Sequence, residues 1–517
     1  MLALAGIGAY GAVAYNALNN GRLEFNEVGH IVKASWFSAG TISPFGAGDS
    51  MPTMPLYPLE LGALQLVIGA SAMAARAVSV ALGLLSGLVL FALCRKLTAN
   101  SLASAAAVLI FLGSPATAYS FATATPLAVV SLLHLVALWL LVTSLGRPRM
   151  LATFAMGVVL AAIVFHADGM IVPVVLLAVL FIAALGRSRW LHGPLLIVVL
   201  VLPIGAAIYL LPDQFTTFAL SRPLPAWFME ATGLGRPGAS TVMSFDRILR
   251  DVVDGIVLPY GGTILLALLL ILLTFKGPRV LWVGPIYLSL GLAALAVFPG
   301  LSCETCAATQ PSQIIAVGAL SAAMALAFSG RMIRKNALSG TPFVVGGAIL
   351  ALAINTFAPG LASREALHFF PAEMLKQTRP MPEQRDIAGL MRFVGQNTDG
   401  GEPILLLHDQ PALPYAVHMA GRKFPPTSLN PLAAMKTVPG SVEGTRREAQ
   451  LASIERAGGW TPETLKRWIE RDYDVILIQD KAITLDADIE GLLASGFETA
   501  AATDFRGTRL VLYKRKI

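Results

Sequence analysis

The sequence predicts a membrane α-helical protein of about eleven transmembrane helices, followed by a soluble α/β domain at its C-terminal end. Three observations point there. Of the 517 residues, 55% are hydrophobic and only 13% are charged, about half the charged fraction of an ordinary soluble chain. Mostly apolar runs approaching the roughly 20 residues of a spanning helix recur from the N-terminus to Phe357. From Ala358 to Ile517 charged residues become frequent, and short apolar runs such as "PILLLH" and "DVILIQ" are separated by polar, periodic segments. The predicted division is 1–358 for the transmembrane part and 359–517 for a domain long enough to bury its own core.

The spans are read at 1–18, 75–94, 101–118, 125–144, 151–166, 170–186, 192–211, 255–275, 280–298, 312–329 and 340–358. One alternate set of loops carries Arg95 and Lys96, Arg147 and Arg149, Arg187 and Arg189, Lys276 and Arg279, and Arg331, Arg334 and Lys335, without a single Asp or Glu. By the positive-inside rule these loops are cytoplasmic. The first loop (19–74), Ser114–Ala124, the link around His166–Gly169, the loop 212–254, Pro299–Pro311 and the C-terminal domain are then extracytoplasmic. Most of the net charge of +7 lies in the short basic loops, so it reports topology and implies no nucleic-acid partner. The first span also fits the apolar core of a signal peptide; the lack of a positively charged n-region favours a retained helix.

Cys303 and Cys306 form "CETC" on the predicted oxidising side, while Cys94 sits near the cytoplasmic end of a span. A local disulfide is the simpler reading, because no second CxxC or His pair accompanies it to suggest a metal or redox centre.

In the first outer loop, "LEFNEVGHIVKASWF" (Leu23–Phe37) reads as a short helix with Phe25, Val28, Val32 and Trp36 on one side and Glu27, His30, Ala34 and Ser38 on the other. Such a helix suits the membrane surface, its apolar face in lipid and its polar face above. A purely structural account also exists, since Asn26 is a good N-cap and Glu27 in the first turn suits the helix dipole.

From Phe25 to Gly87 the chain resembles the N-terminal region of the GT-C superfamily, polytopic glycosyltransferases that include protein O-mannosyltransferases and the aminoarabinose transferases of lipid A. The matching features are Asn26-Glu27, where the bacterial relatives open the loop with an acidic pair, then Pro55-Leu56-Tyr57-Pro58-Leu59, then Ala74-Ala75-Arg76-Ala77-Val78-Ser79. Three features depart from the pattern. Asn26 replaces the first acid, "FATATPL" places Thr123 and Thr125 where many relatives have an Asp, and no Arg-Tyr precedes the span at "TQPSQIIAVG".

The resemblance implies transfer of a sugar from a polyprenyl-phosphate donor to a glycan, lipid or protein acceptor on the outer face of a bacterial inner (plasma) membrane. It implies no cofactor beyond that lipid-linked sugar and leaves a divalent metal open. Such a reaction needs a base for the acceptor hydroxyl and cationic or dipolar groups for the departing phosphate. The catalytic candidates are Glu27, with Glu24 as a nearby substitute, and His30 one turn on. The substrate-binding candidates are Asn26, Lys33, Arg76, His166 and Asp168. Arg76 stands alone in an apolar run from Leu61 to Leu93; an arginine inside a span costs about 2.5–3.5 kcal/mol on insertion scales, so it either pairs with phosphate or snorkels to the interface. His166 and Asp168, in "FHADGM", mark either a site at the outer surface or a capped helix break. Loop 212–254, with Arg222, Trp227, Glu230, Arg236, Asp246, Arg247 and Arg250, is long enough to cover a site, and equally forms a solvated surface helix. His134, deep in a span, reads as an interhelical residue.

In the C-terminal domain "EPILLLH", "YDVILIQD" and "TRLVLYKR" read as strands, and "TPETLKRWIER" as a helix with Thr461 at its N-cap and Pro462 at N1. The alternation argues an α/β layer domain that binds acceptor or stabilises the enzyme. His408-Asp409 at a strand end occupies a common ligand position. Two rival classes remain: a transporter or lipid flippase, disfavoured by the scarcity of acidic residues in the spans and the lack of internal repeats, and a non-catalytic relative, which the Asn26 replacement keeps in play.

Overall fold

The structure is a computed structural model that describes residues 1–20, 23, 25–42, 54–144, 149–167, 170–185, 188–213, 253, 257–273, 283–297, 312–335, 340–362, 382–408, 410–429, 462–480, 485, 487–505 and 507–516. Two compact units emerge. One comprises Met1–Asn20, Met73–Ala206 and Met243–Thr378, and the other Gly21–Ala72, Ala207–Val242 and Arg379–Ile517. The first outer loop therefore shares a unit with the C-terminal residues.

Except for 101–118, which is divided between two helices, each predicted span overlaps a single helix. In the first unit these are α1 (Leu2–Asn20), α4 (Ala72–Thr98), α5 (Ser101–Leu112), α6 (Pro115–Phe121), α7 (Leu127–Ser144), α8 (Met150–His166), α9 (Ile171–Ala184), α10 (Arg189–Leu210), α11 (Leu258–Leu273), α12 (Val283–Val297), α13 (Ser312–Lys335) and α14 (Thr341–Ala362). Among the described residues five helices are long and apolar enough to cross a membrane, or six if one bent pair counts as a single span. Leu2–Leu18, Met150–His166, Pro173–Ala183 and Leu258–Leu273 are apolar but shorter, so length alone does not reach the expected eleven crossings.

The bent pair corrects the continuous span expected at 101–118. α5 ends at Gly113, Ser114 and Pro115 start α6 with proline at its first position, and the axes turn by 67°. Proline has no N–H to continue the ladder and is pre-set for a helix start.

α13 is the packing centre of this unit, in contact with α5, α7, α11, α12 and α14. It is buried on nearly every side, and Ala316, Ala319, Ala322, Ala323, Ala325 and Ala327 supply small side chains that let helices approach where lipid supplies no hydrophobic drive between them. Polar clamps add direction. Asn355 of α14 accepts from the backbone N–H groups of Gly262 and Thr263 in α11 at 2.9 and 3.3 Å and donates to Thr263 Oγ1 at 2.8 Å. α10 is mostly exposed, with Ile197, Val198, Val201 and Leu202 bare, as a lipid-facing helix should be.

The second unit holds α2 (Phe25–Ser38) and α3 (Leu56–Ile68) from the first loop, then α15 (Pro382–Asn397), β1 (Ile404–Leu407), α16 (Ala412–Met419), a 3-10 turn (Pro426–Leu429), α17 (Pro462–Arg467) running into a π-turn (Trp468–Asp472), β2 (Val475–Gln479), α18 (Ala487–Gly496), β3 (Phe497–Phe505) and β4 (Thr508–Arg515). The sheet order is β1-β2-β4-β3, with β1 parallel to β2 and the other pairs antiparallel. β1 and β2 are buried along their whole length, which is why they read as unbroken apolar runs. Leu405, Leu407, Ile476 and Ile478 meet Leu465, Ile469, Ile489 and Leu493 in one core.

The three expected strands are present, and β3 is an addition. Its sequence "FETAAATDF" is mostly exposed, so it carries no apolar alternation, and antiparallel pairing to β4 holds it in the sheet. Thr461, the expected N-cap, lies outside the described residues, while Pro462 does open α17.

α2 and α3 pack closely. A Cβ on Gly62 of α3 would lie 2.7 Å from Ala34 O and 2.6 Å from Ser38 Oγ of α2. Gly62→Val should therefore force the helices apart and lower stability by about 1–3 kcal/mol, the cost of overpacking. Thermal unfolding of the purified, detergent-solubilised protein reads this out, and an unchanged Tm would show that the helices do not depend on this approach.

Candidate functional site

α2 carries three of the candidates. Glu27, His30 and Lys33 follow one another at three-residue spacing, which keeps neighbouring pairs on adjoining positions of the helix surface. Glu27 is 0% and Lys33 1% exposed. A carboxylate and an ammonium withdrawn from water are costly unless balanced by their surroundings, and such groups concentrate at functional sites.

This burial corrects the expectation of a helix lying in the membrane surface. Val28, Ile31, Val32 and Ala34 are buried as well, and Trp36 meets the ring of Phe424 edge-on at 5.4 Å between centroids. The apolar side of α2 is committed to protein. Helical periodicity identifies which residues share a face but not what covers it, and here α3 and the C-terminal domain supply the cover. The bare apolar stripe belongs instead to α3, where Leu59, Ala63, Leu66 and Val67 recur at helical spacing and are exposed.

Several polar contacts hold α2 in place. Gln65 of α3 donates from Nε2 to Ile31 O at 3.0 Å and accepts from Ser35 Oγ at 2.7 Å. Because the single Ser35 proton is used there, His418 of α16 donates from Nε2 to Ser35 Oγ at 3.1 Å. Burial lowers the His418 pKa and keeps its imidazole neutral. Tyr415 of the same helix accepts from the Ala72 N–H at 3.1 Å. The first loop and the C-terminal residues are thus bonded directly to each other.

His30 packs edge-on against Tyr57 at 5.1 Å, and its Nδ1 is buried without a hydrogen-bond partner. Burial, reinforced by the nearby Lys33 charge, pushes its pKa down to about 3. A neutral imidazole at physiological pH can donate or accept a hydrogen bond but brings no charge to a phosphate.

Two candidates belong to the transmembrane unit. Arg76 of α4 is 4% exposed, and its Nη1 donates to Ala17 O at 2.9 Å. That carbonyl is in the last turn of α1, one of the four that helix geometry leaves unpaired, and the cation also opposes the negative end of the helix dipole. The arginine is therefore drawn into the protein and does not snorkel to the surface. His166 is buried in the last turn of α8 and donates from Nδ1 to Ala162 O at 2.7 Å, which directs the lone pair to Nε2 when the ring is neutral.

Glu24 and Asp168 lie outside the described residues, as do the Asn26 side chain, the "CETC" pair and most of loop 212–254. At "FATATPL", Thr123 Oγ1 donates to Ser120 O at 2.8 Å and lies 3.1 Å from Thr125 Oγ1, so these hydroxyls close the turn between α6 and α7. His134 donates from Nδ1 to Val130 O at 2.9 Å and is fully buried. His408 is also fully buried, with Nε2 bonded to Ser428 O at 2.7 Å; burial pushes its pKa down to about 4, and it serves to tie the end of β1 to the 3-10 turn.

Tyr57, Gln65, Ser35 and His418 are the parts of this arrangement that the sequence analysis did not single out as site residues. Gln65 offered a signal as the one amide in "LGALQLVIGA". His418 offered none, being 383 residues from Ser35. Among the described residues no group of three His, Cys, Asp or Glu side chains is placed to hold a metal ion.

Acidification tests the His30 environment. An imidazole that titrates lower in the folded chain than at its usual 6.5 binds its proton preferentially in the unfolded chain, so its stabilising effect is present above pH 6.5 and is lost as pH falls toward 3. Thermal unfolding measured from pH 7 to pH 4 should show Tm falling, and His30→Phe should flatten part of that slope. Identical pH slopes would mean that the ring is not buried as described.

No family model matches the sequence, and no curated protein matches it. Solved structures do. ArnT from Cupriavidus metallidurans bound to undecaprenyl phosphate superposes with a TM-score of 0.58 at 13% identity, over 99% of this chain and 97% of that one. The apo state of the same protein gives 0.59 at the same identity and coverage. The chain therefore shares the fold of the ArnT structures over nearly its whole length.

Proposed function

We propose that this protein is an integral-membrane glycosyltransferase that moves a sugar from a polyprenyl-phosphate carrier to an acceptor hydroxyl on the extracytoplasmic face. The observation that carries the reading is the end-to-end fold match to a protein that binds undecaprenyl phosphate. A buried carboxylate in the first turn of α2 supports it.

Glu27 is assigned as the base. Its carboxylate takes the acceptor hydroxyl proton as the oxygen attacks the anomeric carbon, and the bond from that carbon to the carrier phosphate breaks, leaving both electrons on the phosphate oxygen. Lys33 is the cation assigned to the charge that grows there, with an N–H donor from His30 in support. Arg76 and His166, which belong to the transmembrane unit, are assigned to donor binding, His166 as an acceptor through Nε2. Asn26 takes the acceptor or the sugar through its amide. The C-terminal domain, bonded to α2 through His418, holds the helix that carries the base and presents the acceptor.

Mass spectrometry of lipid-linked sugars and surface glycans, in cells with and without the protein, tests the reaction. One glycan should lose a sugar and its lipid-linked donor should accumulate; unchanged glycans and donors would overturn the reading. In the same cells Glu27→Gln should insert normally and lower transfer by roughly 10²–10⁴-fold, the usual contribution of a general base, and full turnover would remove Glu27 from the chemistry. Arg76→Gln should raise KM for the donor, whereas lower stability with unchanged KM would confine Arg76 to capping α1. A cysteine placed at the exposed Ala500 should react with a membrane-impermeant reagent added outside intact cells; reaction only after permeabilisation would reverse the topology.

A further inference from the structure

A groove of about 370 Å³ runs between α4 and α7 in the transmembrane unit, lined by Leu88, Val89 and Ala92 of α4 and Val136 and Trp139 of α7. Its volume lies within the range of small-ligand sites. Apart from the Trp139 indole N–H, every lining side chain is hydrocarbon, so the groove suits an alkyl chain better than a polar solute.

Charge enters at one end. Lys96 lies one turn beyond Ala92 on the same face of α4, and its Nζ stands 5.0 Å from the centroid of the Trp139 ring. The ring quadrupole holds the ammonium over the indole at the mouth of the groove. Leu88 to Lys96 covers eight residues, about 12 Å along the helix, comparable to the upper part of a lipid acyl chain. Arg95 shares the last turn of α4, and no Asp or Glu occurs in the sequence between Glu60 and Asp168, the stretch that forms α4 to α8. The ion pairs found among the described residues, Lys466 with Asp488 and Arg515 with Asp474, do not include Lys96.

We propose that this groove is a binding site for an anionic glycerophospholipid of the leaflet on the side of the basic loops. The lipid phosphate sits on Lys96, and one acyl chain lies against Leu88, Val89, Ala92 and Val136. A basic side chain beside an aromatic ring between helices, at the end of an alkyl-sized groove, is the arrangement that selects a negative headgroup from the neutral lipids around it. The site is independent of the transfer reaction.

Native mass spectrometry of the full-length protein, released from micelles containing equal amounts of phosphatidylglycerol and phosphatidylcholine, tests it. Wild type should retain phosphatidylglycerol over phosphatidylcholine by roughly fivefold, the selectivity that one basic residue at the surface supplies. Lys96→Gln should bring the two lipids to parity, and Lys96→Arg should keep the preference. Ala92→Trp, which fills the groove and leaves the charge, should also abolish it. Equal retention of the two lipids by wild type, or a preference that survives Lys96→Gln, would overturn the proposal.

Discussion

The carbonyl of Ala34 in α2 and the backbone of Gly62 in α3 approach so closely that no side chain fits between them. The arrangement of the second unit depends on that approach. It brings Gln65 within reach of both Ile31 O and Ser35 Oγ, and Ser35 Oγ in turn accepts a hydrogen bond from His418 of the C-terminal domain. Glu27 and Lys33 are held out of water on the same helix. Burying polar groups of this kind costs stability unless the surroundings balance them.

A related constraint acts in the transmembrane unit, where lipid offers no hydrogen bonds and backbone groups are satisfied from within. Arg76 bonds the Ala17 carbonyl at the end of α1, and Arg331 does the same for the Thr98 carbonyl at the end of α4. Asn355 serves the backbone of α11. Between these fixed points the alanine-rich α13 permits close packing. Buried polar side chains here therefore include structural ones, and burial alone does not mark a site.

Glu27 differs from those residues in position and chemistry. It is an acid in the first turn of a short helix outside the spans, in a segment whose order of motifs resembles the loop that carries the catalytic acid in GT-C enzymes. Its helix meets the C-terminal residues through the His418–Ser35 hydrogen bond and the Trp36–Phe424 ring contact, so the segment that follows the last span in sequence is coupled to the loop that follows the first. A rigid first turn would hold Glu27 in one orientation, as the proposed role of base requires.

Much of the fold was legible in the sequence. Long apolar runs placed the helices, and three strands of the C-terminal domain were visible as buried runs or a terminal alternation. The bend between α5 and α6 was less so, although Gly113, Ser114 and Pro115 announce it in retrospect, because hydropathy is indifferent to a proline start inside an apolar stretch. β3 escaped because pairing with β4, not apolar pattern, makes it a strand. For the candidate site, the sequence by itself determined which polar groups share α2 and which arginine stands alone in its apolar run. Only the tertiary structure decided that α2 is buried while α3 bears the exposed apolar stripe, that Arg76 turns to the end of α1, and that His418 reaches Ser35. The physical reason is that periodicity along a chain records neighbours within one helix, whereas burial and hydrogen bonding depend on partners that here lie up to 383 residues away.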